Sequence, residues 1–280
     1  MLYYSIQNFL GGADATITVS SEDALYTLEN LYNERPSKPF RFTGLGLPGD
    51  PEFICVEFDD PKRVTLAAIF NHNLTALEES ADALYLKGCD TGCESSGGGG
   101  CDWTIPDYAL DLAPSLVEDW NDLYSFLDQT RLAYRLEIID GGNEDAYIEI
   151  GDFFLGQYTA MANAKLQPGR TEEPRLYRAA NKTLYGQHWT QAYSQNLNLS
   201  LVLHNLGDPD TVDAARLMVE AIHQNGGRAV LIPNEKHPFV YYAHLENEEG
   251  FMSQFSRGLT CEITTWTLNF QTLTKGIRLL

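Results

Sequence analysis

The run RLAYRLEIIDGGNEDAYIEIGDFFLG, from Arg131 to Gly156, constrains the fold of this chain more than any other segment. Leu132, Tyr134, Leu136 and Ile138 recur at every second position. After Asp140-Gly141-Gly142-Asn143 the apolar residues resume as Tyr147, Ile148, Ile150, Phe153 and Phe154. A period of two sends successive side chains to opposite faces of an extended strand. A helix would need apolar residues three and four apart, and they are missing here. The segment therefore predicts two antiparallel strands about a glycine turn, with one face buried.

The same pattern recurs upstream. Ala15 to Val19 and Phe40 to Phe42 read as strands, and FICVEF (Phe53 to Phe58) alternates. Asp59-Asp60-Pro61 reads as a turn, VTLAAIF (Val64 to Phe70) as a strand covered on both sides or on the inner face of a sandwich, and Ala83 to Lys87 as the next strand. Pro36 and Pro39 stop any helix begun between Glu22 and Asn33. Strands joined by short turns predict a mainly β protein whose residues 1–156 form a β-sandwich of the jelly-roll kind.

A long insertion at about residues 88–130 breaks this order. It opens with GCDTGCESSGGGG, which reads as a flexible loop, and carries nine acidic and no basic residues between Asp90 and Asp128. Leu116, Trp120, Leu123 and Leu127 have helical spacing and predict a helix over Ser115 to Phe126. Residues 157–185 are charged and aperiodic, and read as a connecting arm. Together with residues 88–104, residues 160–185 are expected to order only on docking to a partner.

Residues 186–280 predict a smaller α+β domain. Its strands are Gln195 to His204, Arg228 to Pro233, Phe239 to Leu245 and Leu259 to Phe270. Its helix runs from Thr211 to Asn225, entered through Asp208-Pro209-Asp210 and stopped by Gly226-Gly227. Ala215, Leu217, Met218, Ala221 and Ile222 form the apolar stripe.

Charge and composition narrow the function classes. With 19 basic against 39 acidic residues the net charge is -20, so a phosphate backbone is repelled over most of the surface and nucleic acid is not the expected partner. No run of 18 apolar residues is present, so no membrane span is expected. Met1 to Val19 lacks a basic stretch before its apolar residues, which argues against a secretory signal. Five cysteines form no obvious framework, and a reducing compartment is the simpler expectation.

Candidate chemistry is sparse. Cys89, Cys93 and Cys101 share one glycine-rich loop, and three states stay open for them. They can be unmodified thiols, a Cys93–Cys101 disulfide, or metal ligands with Cys55 or a partner residue as a fourth donor. The six histidines show no HExxH or H-x-H spacing, and His72 and His204 each end a strong strand, where a neutral ring donates to a loop carbonyl. Asp59 and Asp60 read as turn formers, and Asp140 and Asp145 lack the dense oxygen spacing of a calcium loop. No Gly-x-Ser-x-Gly and no nucleotide-binding fingerprint is present, so no enzyme activity and no cofactor is expected. Trp103, Trp120, Tyr177, Tyr185 and Trp189 are the candidate interface anchors. Tyr3, Tyr4, Tyr193, Tyr241 and Tyr242 offer either packing or a sugar platform.

One resemblance adds to this reading. Asn30-Leu31-Tyr32-Asn33, then Pro36, Phe40 and Phe42, then FICVEFDDPKRVTLAAIFNHNLT, resemble the galactose-binding (discoidin-like) sandwich in tail proteins of long-tailed bacteriophages. The block ending YIEIGDFFLG is similar to the strand pair that closes that domain. The resemblance covers roughly residues 15–160, with IFNHNLT and YIEIGDFFLG its most specific pieces. It implies a virion structural protein at the tail tip or an adaptor, made in the host cytoplasm. Its partners would be tail-tube, hub or baseplate proteins, with a host glycan as a further ligand. The alternative it leaves is a carbohydrate-binding module for host-surface recognition. The acidic, cysteine-rich insertion departs from the family pattern.

Overall fold

A computed structural model of the chain describes residues 2–75, 82–93, 100–116, 121–161, 165–166, 171–182, 188–204, 209–233, 240–245 and 265–272. The protein is mainly β, with a sandwich and a small α+β region. One compact unit is built on Gln7–Tyr158; the other joins Met1–Ile6 to Thr159–His237 and Tyr241–Gly276. The opening strand β1 (Leu2–Ser5) belongs to the second unit.

The first unit carries a six-stranded sheet. In chain order its strands are β2 (Ala15–Val19), β4 (Glu52–Phe70), β5 (Ala83–Cys89), β6 (Tyr108–Asp111), β7 (Leu123–Ile139) and β9 (Asp152–Gly156). Across the sheet they run β2-β4-β7-β5-β6, with β9 on the second half of β4. A separate pair, β3 (Phe40–Arg41) and β8 (Glu149–Ile150), forms the facing layer. The alternation seen in the sequence decides what lies between. Ile54, Val56 and Phe58 from β4, Tyr134, Leu136 and Ile138 from β7, and Leu84 and Leu86 from β5 are buried together with Phe40, Phe42, Ile148 and Ile150. Burying a side chain of this size removes apolar area worth about 1.5–3 kcal/mol.

Several expectations change on contact with this sheet. FICVEF and VTLAAIF are not separate strands; β4 is one continuous element of 19 residues. Asp59-Asp60-Pro61 makes an irregularity inside it: the register passes from Glu57↔Ala133 directly to Lys62↔Arg131. The Tyr134 hydroxyl, close to the carbonyls of Lys62 (2.9 Å) and Gln129 (2.7 Å), fixes the two chains there. Burial pushes the Tyr134 phenol well above its ordinary value.

The two halves of the Arg131–Gly156 run do not pair with each other. β7 and β9 lie on opposite sides of the second half of β4, while Tyr147 to Ile150 cross to the β3 layer, where Phe42 N–H bonds Ile148 C=O at 3.0 Å. The expected helix over Ser115 to Phe126 is also replaced. A 3-10 turn covers Ala113–Ser115, and β7 already begins at Leu123, where pairing of Leu123–Phe126 with Leu66–Ile69 overrides the helical spacing.

The second unit is an eight-stranded antiparallel sheet with one helix. Its remaining strands are β10 (Thr159–Met161), β11 (Lys165–Leu166), β12 (Thr171–Lys182), β13 (His188–His204), β14 (Arg228–Ile232), β15 (Tyr241–Leu245) and β16 (Thr265–Thr272). They run β10-β1-β14-β15-β16-β13-β11, and β12 pairs with β13. The connecting arm expected over residues 157–185 is therefore sheet in its described parts, because β12 finds a long partner in β13. The docking loop expected over residues 160–185 is corrected with it. The first strand also departs from the expected boundary at residue 156, since Leu2–Ser5 pairs with β10 and β14.

The helix α1 (Pro209–Gln224) forms where its period places it. Ala215, Met218, Val219 and Ile222 are buried, whereas Leu217 is 62% exposed and leaves the expected stripe. Gly226 and Gly227 stop it at φ +68° and +81°, with Gly227 N–H returning to Ile222 C=O at 2.8 Å.

Candidate functional site

The outward face of the first unit's sheet carries the side chains that the core rejects. Three registers line them up: Cys55 beside Arg135 beside Lys87; Glu57 beside Ala133 beside Cys89; Phe53 beside Glu137 beside Tyr85. Arg135 sits at the centre of this grid. Its guanidinium lies 3.9 Å over the Phe53 ring and 5.5 Å from the Trp103 ring. Its Nε is 3.0 Å from Glu137 Oε1, off the line of a hydrogen bond. Glu137 also pairs with Lys87, whose ammonium donates to the Trp103 carbonyl at 2.9 Å. Burial lowers the Arg135 pKa, with Glu137 acting in the opposite direction.

The insertion folds onto this face and is covalently fixed there. Cys55–Cys93 and Cys89–Cys101 are disulfides with Cα separations of 6.0 and 6.1 Å. Together with Trp103 and Ala133, Cys55, Cys89 and Cys101 form a second small core, against which Phe53 and Cys93 pack. Ala133 is fully buried beneath them. Trp103 Nε1–H donates to the Cys93 carbonyl at 3.3 Å, and Cys93 N–H donates to Glu57 Oε2 at 2.7 Å. A Cβ on Gly92 would stand 2.6 Å from that same carboxylate, so a larger residue there would push Glu57 aside from its bond to Cys93. Asp102 closes the next turn by accepting from Thr104 N–H at 3.0 Å and Thr104 Oγ1–H at 2.6 Å, bonds that hold its carboxyl below the ordinary range.

Between loop and sheet lies a cleft of about 570 Å³. Lys87, Arg135 and Glu137 line its floor, residues 100–104 one wall, and Gly49 and Pro51 the other. This volume falls in the range of small-molecule sites, roughly 300–1,000 Å³. The cleft offers fixed donors, a fixed acceptor and an aromatic edge. Among the described residues no group of three His, Cys, Asp or Glu side chains could hold a metal ion.

These positions correct the expectations for the cysteines. Cys89, Cys93 and Cys101 are neither free thiols nor metal ligands, and Cys93 pairs with Cys55 rather than with Cys101. The docking loop expected over residues 88–104 is instead tied to the sheet in its described parts.

Of the candidate anchors, Trp103 is buried in the second core, with 7% exposure. Trp120 and Tyr185 lie outside the described residues. Tyr177 and Trp189 fall on β12 and β13, and Tyr193 on β13, with side chains outside the described ones. Tyr3, Tyr4, Tyr241 and Tyr242 are buried and serve packing. His72 is buried and accepts from Leu74 N–H through Nδ1 at 3.2 Å. Asp140 ties its own loop to the segment after β4, accepting from Asn143 Nδ2–H at 2.9 Å and Thr75 N–H at 3.1 Å.

Lys87, Arg135 and Glu137 were not candidates from the sequence. The available signal was three charged residues at outward positions of alternating strands. A second arginine has a different setting: Arg41 stacks between Tyr26 (3.9 Å) and Tyr147 (3.8 Å) and pairs with Glu149, so both faces of its guanidinium are covered.

No protein-family model matches the chain, and no curated protein matches it. Among solved structures it is similar to a family 32 carbohydrate-binding module from Clostridium perfringens NanJ, in complex with galactose. The identity is 10%, the TM-score 0.38, and the match covers 57% of this chain and 100% of that one. A Streptococcus pneumoniae fucose-binding module matches at 9% identity and TM-score 0.36, over 54% of this chain and 94% of that one. A Ruminococcus gnavus fucosidase in complex with fucose matches at 8% identity and TM-score 0.38, over 55% of this chain but only 27% of the enzyme. Likenesses at this level carry no weight for function.

Proposed function

We propose that the first unit is a non-catalytic carbohydrate-binding module whose binding surface is the outer-face cleft. One observation carries the reading. A guanidinium stacked on Phe53, a shared carboxylate and an ammonium meet an aromatic edge in a cleft whose wall is held by two disulfides. Sugars need rigid donors and acceptors set beside apolar surface, and preorganisation lowers the cost of binding. A glycan array probed with the oxidised full chain tests this: the expected result is a defined set of bound glycans, and an array without a binder overturns it.

A second reading is attachment within a phage tail, with the chain at the tail tip of the virion and tube, hub or baseplate proteins as neighbours. It draws support from Leu47 and Ile105, 65% and 80% exposed, which stand on the loops that also supply Gly49 and Thr104 to the cleft. Disulfides suit a particle that works outside the cytosol. Cryo-EM of a tailed particle carrying the chain would be expected to place Leu47 and Ile105 against a neighbour; both residues facing solvent would contradict it.

A further inference from the structure

We propose that the cleft recognises a sugar bearing an acidic group, a carboxylate or a sulfate, gripped by the Arg135 guanidinium with Lys87 beside it. The inference rests on the glycan reading above and names the ligand class for that site.

The geometry of Arg135 decides the ligand class. A guanidinium presents five N–H donors in a rigid planar fork, and its natural complement is an anion that accepts two of them side by side. Phe53 and Trp103 lie near the guanidinium without accepting conventional hydrogen bonds. The polar neighbour among the described residues is Glu137, reached at Nε, and even Nε completes no aligned hydrogen bond. Among the described residues no acceptor is bonded to the Nη atoms, and Arg135 lines the cleft.

The local charge admits an anion. Glu137 is shared between Lys87 and Arg135, so a single carboxylate faces two cations on the cleft floor. The rim acid Asp102, also part of the lining, stays ionised while it accepts from the Thr104 donors of its own turn, so the ligand is selected by the fork of Arg135 and not by net charge. In a chain of net charge -20 this floor is an exception. Arg135 is also largely shielded from water, which strengthens its pull on an anion relative to an exposed arginine. A neutral sugar would meet the fork with single hydroxyls, whereas a carboxylate or sulfate accepts two of its N–H groups side by side.

The test follows the Trp103 indole N–H by NMR in the oxidised full chain. Galacturonate, galactose 6-sulfate, galactose, sodium acetate and sodium sulfate are titrated at constant ionic strength. At least one acidic sugar is expected to shift the resonance at a concentration 10-fold or more below galactose and below its parent salt. Galacturonate alone or galactose 6-sulfate alone identifies which acidic group is taken. R135K, which keeps the charge but loses the planar fork, is expected to cut that preference at least 5-fold, and K87Q to cut it less. Galactose equal to both acidic sugars overturns the acidic-group inference while the glycan reading stands. The salts alone acting as strongly as the sugars overturns it in favour of a plain anion site. No response to any of these sugars, together with an array that binds no glycan, overturns the glycan reading itself.

Discussion

The two faces of the first unit's sheet solve the same problem by different means. Ile54, Val56, Tyr134, Leu136 and Ile138 cover the inner face with apolar area, and many neighbours share the work. Cys55, Ala133, Arg135, Glu137 and Lys87 cover the outer face with a small core, a charge cluster and two covalent links. The inner face is therefore redundant, and the outer face depends on a few specific bonds. A site built on such bonds can keep its geometry although its loop is rich in glycine.

The largest effect should come from the inner face. Leu136→Ala removes a fully buried side chain and is expected to cost about 2–5 kcal/mol, read as a lower denaturant midpoint with loss of the whole unit. On the outer face, the double variant Cys55→Ser with Cys93→Ser should cost roughly 2–4 kcal/mol in the chain-entropy view. The comparison predicts a different symptom there. Limited proteolysis should cut near Cys93 quickly while the sheet stays intact by circular dichroism, and simultaneous loss of both would break the contrast.

Two buried acids sharpen the comparison further. Glu137 has two cations, whereas Asp152, 1% exposed, has the neutral Asn8 amide at 3.3 Å. Burial raises the Asp152 carboxyl well above its ordinary value, opposed by the Asn8 bond. Between the ordinary carboxylate range and that raised value the unfolded chain is ionised at Asp152 and the folded chain is not. This group's contribution to stability therefore falls as pH rises through that window. Asp152→Asn should flatten that part of the stability profile, measured by denaturation at a series of pH values; an unchanged profile would contradict the assignment. The smallest effect should come from the exposed Arg63–Asp128 pair at 2.8 Å, where Asp128→Asn is expected to leave the midpoint unmoved.

The sequence showed some of this clearly. Ala15–Val19 and the Pro209–Gln224 helix appear almost where their periods place them, because local pattern and burial agree. Where they disagree, pairing prevails. Asp59-Asp60-Pro61 has the composition of a turn, yet the chain runs on because β7 continues alongside it. Leu116, Trp120, Leu123 and Leu127 have helical spacing, yet Leu123 and Leu127 end in β7 because a sheet neighbour was waiting. The site was less legible still. Alternation sends Lys87, Arg135 and Glu137 outward, but only the register makes them neighbours. The Cys55–Cys93 link spans 38 positions, and no spacing rule within the glycine-rich loop could reveal it.

The cleft depends on its wall being fastened to the sheet. Non-reducing peptide mapping of the purified chain by mass spectrometry measures this directly. The account predicts cross-linked peptides joining Cys55 to Cys93 and Cys89 to Cys101. A Cys93–Cys101 link, or these four residues recovered as free thiols, would contradict it.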